Sequence, residues 1–321
     1  MTNNNNDKHD DSLSLLAVVF SSMIFGVFFS KEGKVLEPYL LIWLGILLFL
    51  NLIKLDIMDL VSEFARPRRI IVLSILKLVI IPLTLYEIIH LIYSKESLSV
   101  LLLSGISTGL GAPFIVNFVG GNLQTVVALI MATSLAVPIV LPILVYILFN
   151  RQFSIPFYDM VVLLVSALFI PLAASWATKR YAPKMAKLVE ERSLPGSFVA
   201  IVLINVGMFS TISNYFFDDP FFVLATTALG FALFGVYGIL GYMIDAVFFS
   251  KKTGRKNVNE KKRDRLSAFI SMSYVNNILV AVLAQQFFGT YVAALAAFYN
   301  IPYYIGILIL ARCFSRDLKK T

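Results

Sequence analysis

Two runs of polar or helix-breaking residues interrupt otherwise apolar sequence, about half a chain apart. The first is Ser104-Gly105-Ile106-Ser107-Thr108-Gly109-Leu110-Gly111-Ala112-Pro113-Phe114-Ile115-Val116-Asn117 and the second is Ser271-Met272-Ser273-Tyr274-Val275-Asn276-Asn277. Hydroxyls, amides and opened backbone in apolar surroundings offer hydrogen-bonding groups to a solute. Lipid cannot satisfy freed backbone groups, so such breaks must be buried in protein or line a wet cavity. Interruptions paired between two halves of a chain are the sequence mark of a secondary transporter whose site lies at mid-membrane.

Few other residues suit chemistry. Lys77 lies eight residues beyond Arg69, about 12 Å into an apolar span at helical rise. One reading is a lysine snorkelling back to the cytoplasmic interface; the other is a buried ammonium that serves function. Glu87 and His90 are three apart on one helix face and read as a solvated interfacial pair. Asp159 and Asp245 stand near span ends, where capping or solvation is their expected role. Asn205, in mid-span, reads as an interhelical hydrogen-bonding residue. Enzymatic motifs are missing: there is no Gly-x-Gly-Asp pair, no His-Glu-x-x-His helix and no Asp-rich prenyl-transfer cluster. The expectation is therefore a protein without catalytic or metal-binding residues. Cys313, the single cysteine, excludes an intrachain disulfide.

The elements that must position these residues follow from composition. Of 321 residues, 59% are hydrophobic and only 14% charged, a polytopic membrane composition. Apolar stretches fall at 12–30, 38–53, 70–93, 97–119, 123–149, 156–178, 196–216, 220–249, 266–287 and 290–312, most of them near the roughly 17–25 residues of a spanning helix. The expected fold is all-α, with ten transmembrane helices. With both termini cytoplasmic, most of the 27 Lys and Arg lie inside. Lys31, Lys34, Lys95 and Arg151 fall outside, and Lys77 lies within a span, so the positive-inside rule is obeyed. The basic run from Lys251 to Arg265 then reads as a topology anchor near anionic lipid, not a nucleic-acid site. The acidic, Asn-rich N-terminus is unlike a cleavable leader. Residues 56–66 form an expected amphipathic surface helix, with Leu60, Val61 and Phe64 towards lipid. Division into 1–150 and 151–321 gives five spans each. An odd number per repeat inverts the second repeat, and the breaks fall in the fourth and ninth spans.

Four stretches carry a resemblance. They are Phe64-Ala65-Arg66-Pro67-Arg68-Arg69 leading to Lys77 and Pro82; Gly120-Gly121-Asn122 leading to Pro138 and Pro142; Pro183 through Lys187 to Leu194-Pro195 and Ser197; and Arg265 through Asn276-Asn277 to Ala284. In order and together, they resemble the bile acid:sodium symporter family. The resemblance implies a core domain of spans 3–5 and 8–10, with spans 4 and 9 unwound where they cross. It also implies a panel domain of spans 1, 2, 6 and 7 that moves against the core. Family members import bile acids and other organic anions with sodium. Residue by residue, the family's ninth-span amide pair falls on Asn276 and Asn277, its span-ten polar pair on Tyr299 and Asn300, and its span-five hydroxyls on Thr133 and Ser134.

The departures matter as much. The family's ninth-span glutamate has no counterpart, since no acid occurs between Arg265 and Arg312. The fourth-span Ser-Asn pair falls on or near Ala112 and Pro113, and a third-span glutamine at the ion site falls on Lys77. The expectation is a secondary active transporter of a small organic anion, working by alternating access without family-type sodium coupling. Thr108, Asn117, Thr133, Asn276, Asn277 and Asn300 would bind substrate. Gly109, Gly111, Pro113 and Tyr274 would form the unwound crossing, and Lys77 would replace the ion. No cofactor is expected, sodium being disfavoured; the partners are the anion and the bilayer, with no nucleic acid. The expected location is the plasma membrane, multi-pass, with both termini cytoplasmic. Two alternatives remain: an efflux permease of the related arsenite or auxin carrier type, and a membrane sensor that binds without transport.

Overall fold

The computed structural model describes residues 3–54, 67–109, 111–150, 154–249 and 258–318. The amphipathic helix expected at 56–66 and the first part of the basic run, 251–257, lie outside them. The described residues are nearly all helical, and they contain no strand beyond one isolated bridge. In chain order the main helices are α1 (Asn3–Phe28), α2 (Leu40–Leu52), α3 (Pro67–Ile75), α4 (Ile81–Tyr93), α5 (Ser97–Ser104), α6 (Ala112–Val119), α7 (Leu123–Phe149) and α8 (Phe157–Tyr181). There follow α9 (Pro183–Glu191), α10 (Ser193–Thr211), α11 (Pro220–Phe248), α12 (Val258–Ser273), α13 (Asn277–Phe287), α14 (Thr290–Phe298) and α15 (Asn300–Leu318).

Among the described residues, seven helical stretches are long and apolar enough to cross a membrane: Ser30–Leu52, Pro67–Ser104, Leu123–Phe149, Phe157–Tyr181, Ser193–Thr211, Pro220–Phe248 and Thr290–Leu310. Leu16–Phe28 and Asn277–Phe287 are shorter apolar helices. The chain is thus a multi-pass helical membrane protein. The stretches expected as spans four and nine are each divided by their polar run, so neither offers one continuous helix of crossing length.

The chain gathers into two compact units. One comprises Met1–Leu55 and Ala167–Leu224. Within it α10 packs against α1 and α2, and the buried Asn205 Nδ2 donates to Ser22 Oγ at 3.2 Å, joining α10 to α1. An amide in apolar surroundings needs such a partner.

The other unit comprises Asp56–Ser166 and Ala225–Thr321 and holds both breaks. Between α3 and α4 the backbone widens into a π turn over Leu76–Ile80, with Ile81 N donating to Leu76 O. Pro82 supplies the cause: it has no N–H for the carbonyl four residues back, and its ring crowds that carbonyl. A π turn of this kind alters the direction of the side chains within it, and Lys77 is among them. At the far end of α6 the chain turns through Gly120, whose φ of 77° is left-handed and suits glycine. Asn122 then caps α7, its side chain accepting from Thr125 N.

Candidate functional site

Both polar runs leave the helix, and they meet. α5 ends at Ser104 and α6 starts at Ala112; α12 ends at Ser273 and α13 starts at Asn277. Between them Thr108 and Val275 form an antiparallel bridge. Gly109 N donates to Tyr274 O at 2.7 Å, and Asn276 N donates to Ser107 O at 3.0 Å. This pairing satisfies backbone groups that lipid could not. Gly109 permits it sterically, because a Cβ there would stand 2.8 Å from Val275 O. Tyr274 is fully buried beside the bridge.

The unwinding of α12 frees its last carbonyls, which carry the negative end of that helix. Each finds a donor from another element. Lys77 Nζ donates to Ser271 O at 2.9 Å and to Met272 O at 3.1 Å. Thr108 Oγ1 also reaches Ser271 O, at 2.8 Å, and Tyr299 OH reaches Ser273 O, at 2.7 Å. Lys77 is only 2% exposed. It points into the crossing and does not snorkel, which removes the snorkelling reading. An amine that donates to two carbonyls at a helix C-terminus stands where the macrodipole favours positive charge.

The amides and hydroxyls follow. Thr108 N donates to Thr133 Oγ1 at 3.2 Å, linking the first break to α7. Asn277 Nδ2 donates to Asn300 Oδ1 at 2.8 Å and to Ala296 O at 3.1 Å, linking α13 to the junction of α14 and α15. Asn276 caps α13, its side chain accepting from Leu279 N. Thr108, Thr133, Asn276, Asn277 and Asn300 are all buried around the crossing. Asn117 is not drawn into these bonds; it is exposed on the later part of α6. Gly111 faces the Tyr303 hydroxyl, which leaves no room for a Cβ. Pro113 sits in the first turn of α6, which has no side-chain cap. Among the described residues, four buried polar atoms here, Ser107 Oγ, Ser271 Oγ, Tyr274 OH and Asn300 Nδ2, have no hydrogen-bond partner. All four can donate, so the arrangement suits an electron-rich guest.

Sequence reasoning missed a second cluster in this unit. Arg69 is 6% exposed, and its guanidinium meets Asp245 at 2.7 Å and Asp264 at 3.3 Å. It also donates to Thr125 Oγ1 and to Asp264 O. Asn122 Nδ2 donates to Asp264 Oδ1, and Arg263 donates to the carbonyls of Gly120 and Gly121. Asp245 is therefore buried in an ion pair instead of solvated or capping, because the chain folds Arg69 onto it from far away in sequence. No local spacing signals such a pair.

A fold of this class, a polytopic helical protein with two broken helices joined at their breaks, is one in which membrane transporters hold solutes. The chain belongs to the sodium bile acid symporter family, whose family model matches residues 41–218. Membership points to a membrane transporter of bile-acid or organic-anion type. The match includes Lys77 and the first break. α12, α13 and the Asn277–Asn300 pair lie beyond it and rest on the geometry above. No curated protein matches the chain.

Proposed function

We propose that this protein is a secondary active transporter of a small organic anion, working by alternating access in a ten-span architecture of two inverted repeats, 1–150 and 151–321. Its two compact units correspond in this reading to a panel of spans 1, 2, 6 and 7 and a core of spans 3–5 and 8–10. It is read as a carrier and not an enzyme, in the plasma membrane with cytoplasmic termini.

One observation carries the anion: the four partnerless donors around the crossing, Ser107, Ser271, Tyr274 and Asn300. A carboxylate supplies the acceptors they lack. The start of α6 offers less, because Ala112 N already donates to Gly109 O and Pro113 has no N–H, and Asn276 caps α13. The substrate carboxylate thus belongs at these side-chain donors, with Asn277 and Asn300 fixing its orientation.

Sodium, the ion implied by the family, does not fit where Lys77 lies. The ammonium already occupies the carbonyls of Ser271 and Met272, and no carboxylate lies between Arg265 and Arg312. Two cations on one pair of carbonyls repel each other. Lys77 is in this reading a tethered cation, which holds the crossing but cannot leave with the substrate.

The test is uptake of organic anions into proteoliposomes, with sodium or with choline as the external cation. Uptake indifferent to sodium is expected, and a Lys77→Gln variant should gain no sodium dependence. Strong sodium stimulation of the unmodified protein would refute this part of the reading. Ligand binding without any flux would replace the carrier by a sensor.

A further inference from the structure

A buried carboxylate outside this site has no evident task. Glu96 ends the short turn Ser94–Glu96 and immediately precedes α5, the first half of a broken helix. It is 3% exposed, yet its side chain does not cap the helix. Both carboxylate oxygens are shut away from solvent, and among the described residues neither makes a hydrogen bond of good geometry.

The neighbours are hydroxyls. Tyr291 of α14 and Ser99 of α5 face the carboxylate, and Tyr93 at the end of α4 faces Tyr291. α5 packs against α4, α7, α13 and α14, and of these α7, α13 and α14 contain no charged residue. On α4, Glu87 and His90 lie earlier in the helix, and neither contacts Glu96. Lys95, next in sequence, is exposed and does not pair with it. Among the described residues, no cation is placed to neutralise this carboxylate. Arg69 shows the contrast, since it meets Asp245 and Asp264 directly.

A carboxylate withdrawn from water without a counter-ion is costly, and the least costly remedy is to bind a proton. We propose that Glu96 is a proton-binding site that governs the seating of α5 against α14. The proton comes from bulk water on the outer side. The acid formed donates its O–H to the Tyr291 oxygen and fastens the start of the broken helix to α14. Loss of the proton to the same water leaves a bare carboxylate that must be hydrated, and this loosens the contact. The inference rests on the transport reading above for its consequence, a pH-dependent rate, but not for the site itself.

The site is therefore read first without transport. Infrared difference spectra of the purified protein in nanodiscs are recorded as pH is raised, with Glu96→Gln as the subtracting variant. An ordinary glutamate is ionised by about pH 6. A Glu96-dependent carboxylic-acid band persisting above that pH is expected. A carboxylate already ionised at about pH 5 would overturn the proposal. In parallel, the wild-type melting temperature should fall as pH rises, while that of Glu96→Gln stays at the wild-type acid value. Should the variant not fold, Tyr291→Phe provides the reading. Loss of the phenol must shift the acid band, and an unmoved band would overturn the assignment. Proteoliposome uptake then tests the consequence: the wild-type rate should change with external pH and the Glu96→Gln rate should not. If no organic anion is carried at all, the transport reading fails while the infrared titration still decides Glu96.

Discussion

The two broken helices meet at one point but are secured by different means. α12 is tied by charge at both ends. Near its start Asp264 receives Arg69, and Arg263 grips the carbonyls of Gly120 and Gly121. At its end the Lys77 ammonium covers two freed carbonyls. Among the described residues, α5 has no such ties. It starts beside the carboxylate of Glu96 with hydroxyls for neighbours, and its end closes locally, with Gly105 N on Leu101 O. The phenol of Tyr237 faces Ser104 there. One half of the crossing is thus an electrostatically fixed frame and the other is held by neutral contacts. The difference teaches where movement costs least: the neutral half has fewer strong bonds to break.

The largest test of this contrast removes the charge network. Arg69→Met leaves Asp245 and Asp264 without the guanidinium, and breaking a buried pair on one side costs about 3–5 kcal/mol. Thermal melting of the purified protein should show the largest loss of any single substitution discussed here. A loss no greater than that of a surface substitution would remove the frame from the argument.

Next comes the tethered cation. Lys77→Met removes both bonds, but Thr108 still serves Ser271 O, so only Met272 O is left without its donor, a loss of roughly 1.5–3 kcal/mol. Melting should drop by less than for Arg69→Met, and uptake should fall with it. The comparison on α5 is Tyr237→Phe, where loss of a phenol without a well-formed bond should cost under about 0.5 kcal/mol. Equal losses for Lys77→Met and Tyr237→Phe would show the two ends to be alike and would break the contrast.

Between these in size lies the guest. Asn277→Ala or Asn300→Ala removes one amide from the buried pair, and anion affinity should weaken about tenfold, or 1.4 kcal/mol. Calorimetric titration of the best-bound anion reads this directly. An unchanged affinity in both variants would place the substrate elsewhere.

Much of this molecule was legible from residue order. Apolar run lengths fix membrane helices because the bilayer sets the length, and polar runs within them fix where helix must stop. The two breaks and the role of Asn205 as an interhelical bond followed from such local chemistry, and the family from the resemblance of four short stretches taken in order. What sequence could not decide is which distant groups meet. Lys77 had two readings because a lysine stem reaches either the interface or the interior. The π turn before Pro82 and the freed carbonyls of α12 chose the interior. Arg69 with Asp245 and Asp264, and Glu96 among hydroxyls, are products of packing between elements far apart in the chain. A charge shows its type in the sequence, but its partner, and hence its cost, exists only in the folded structure.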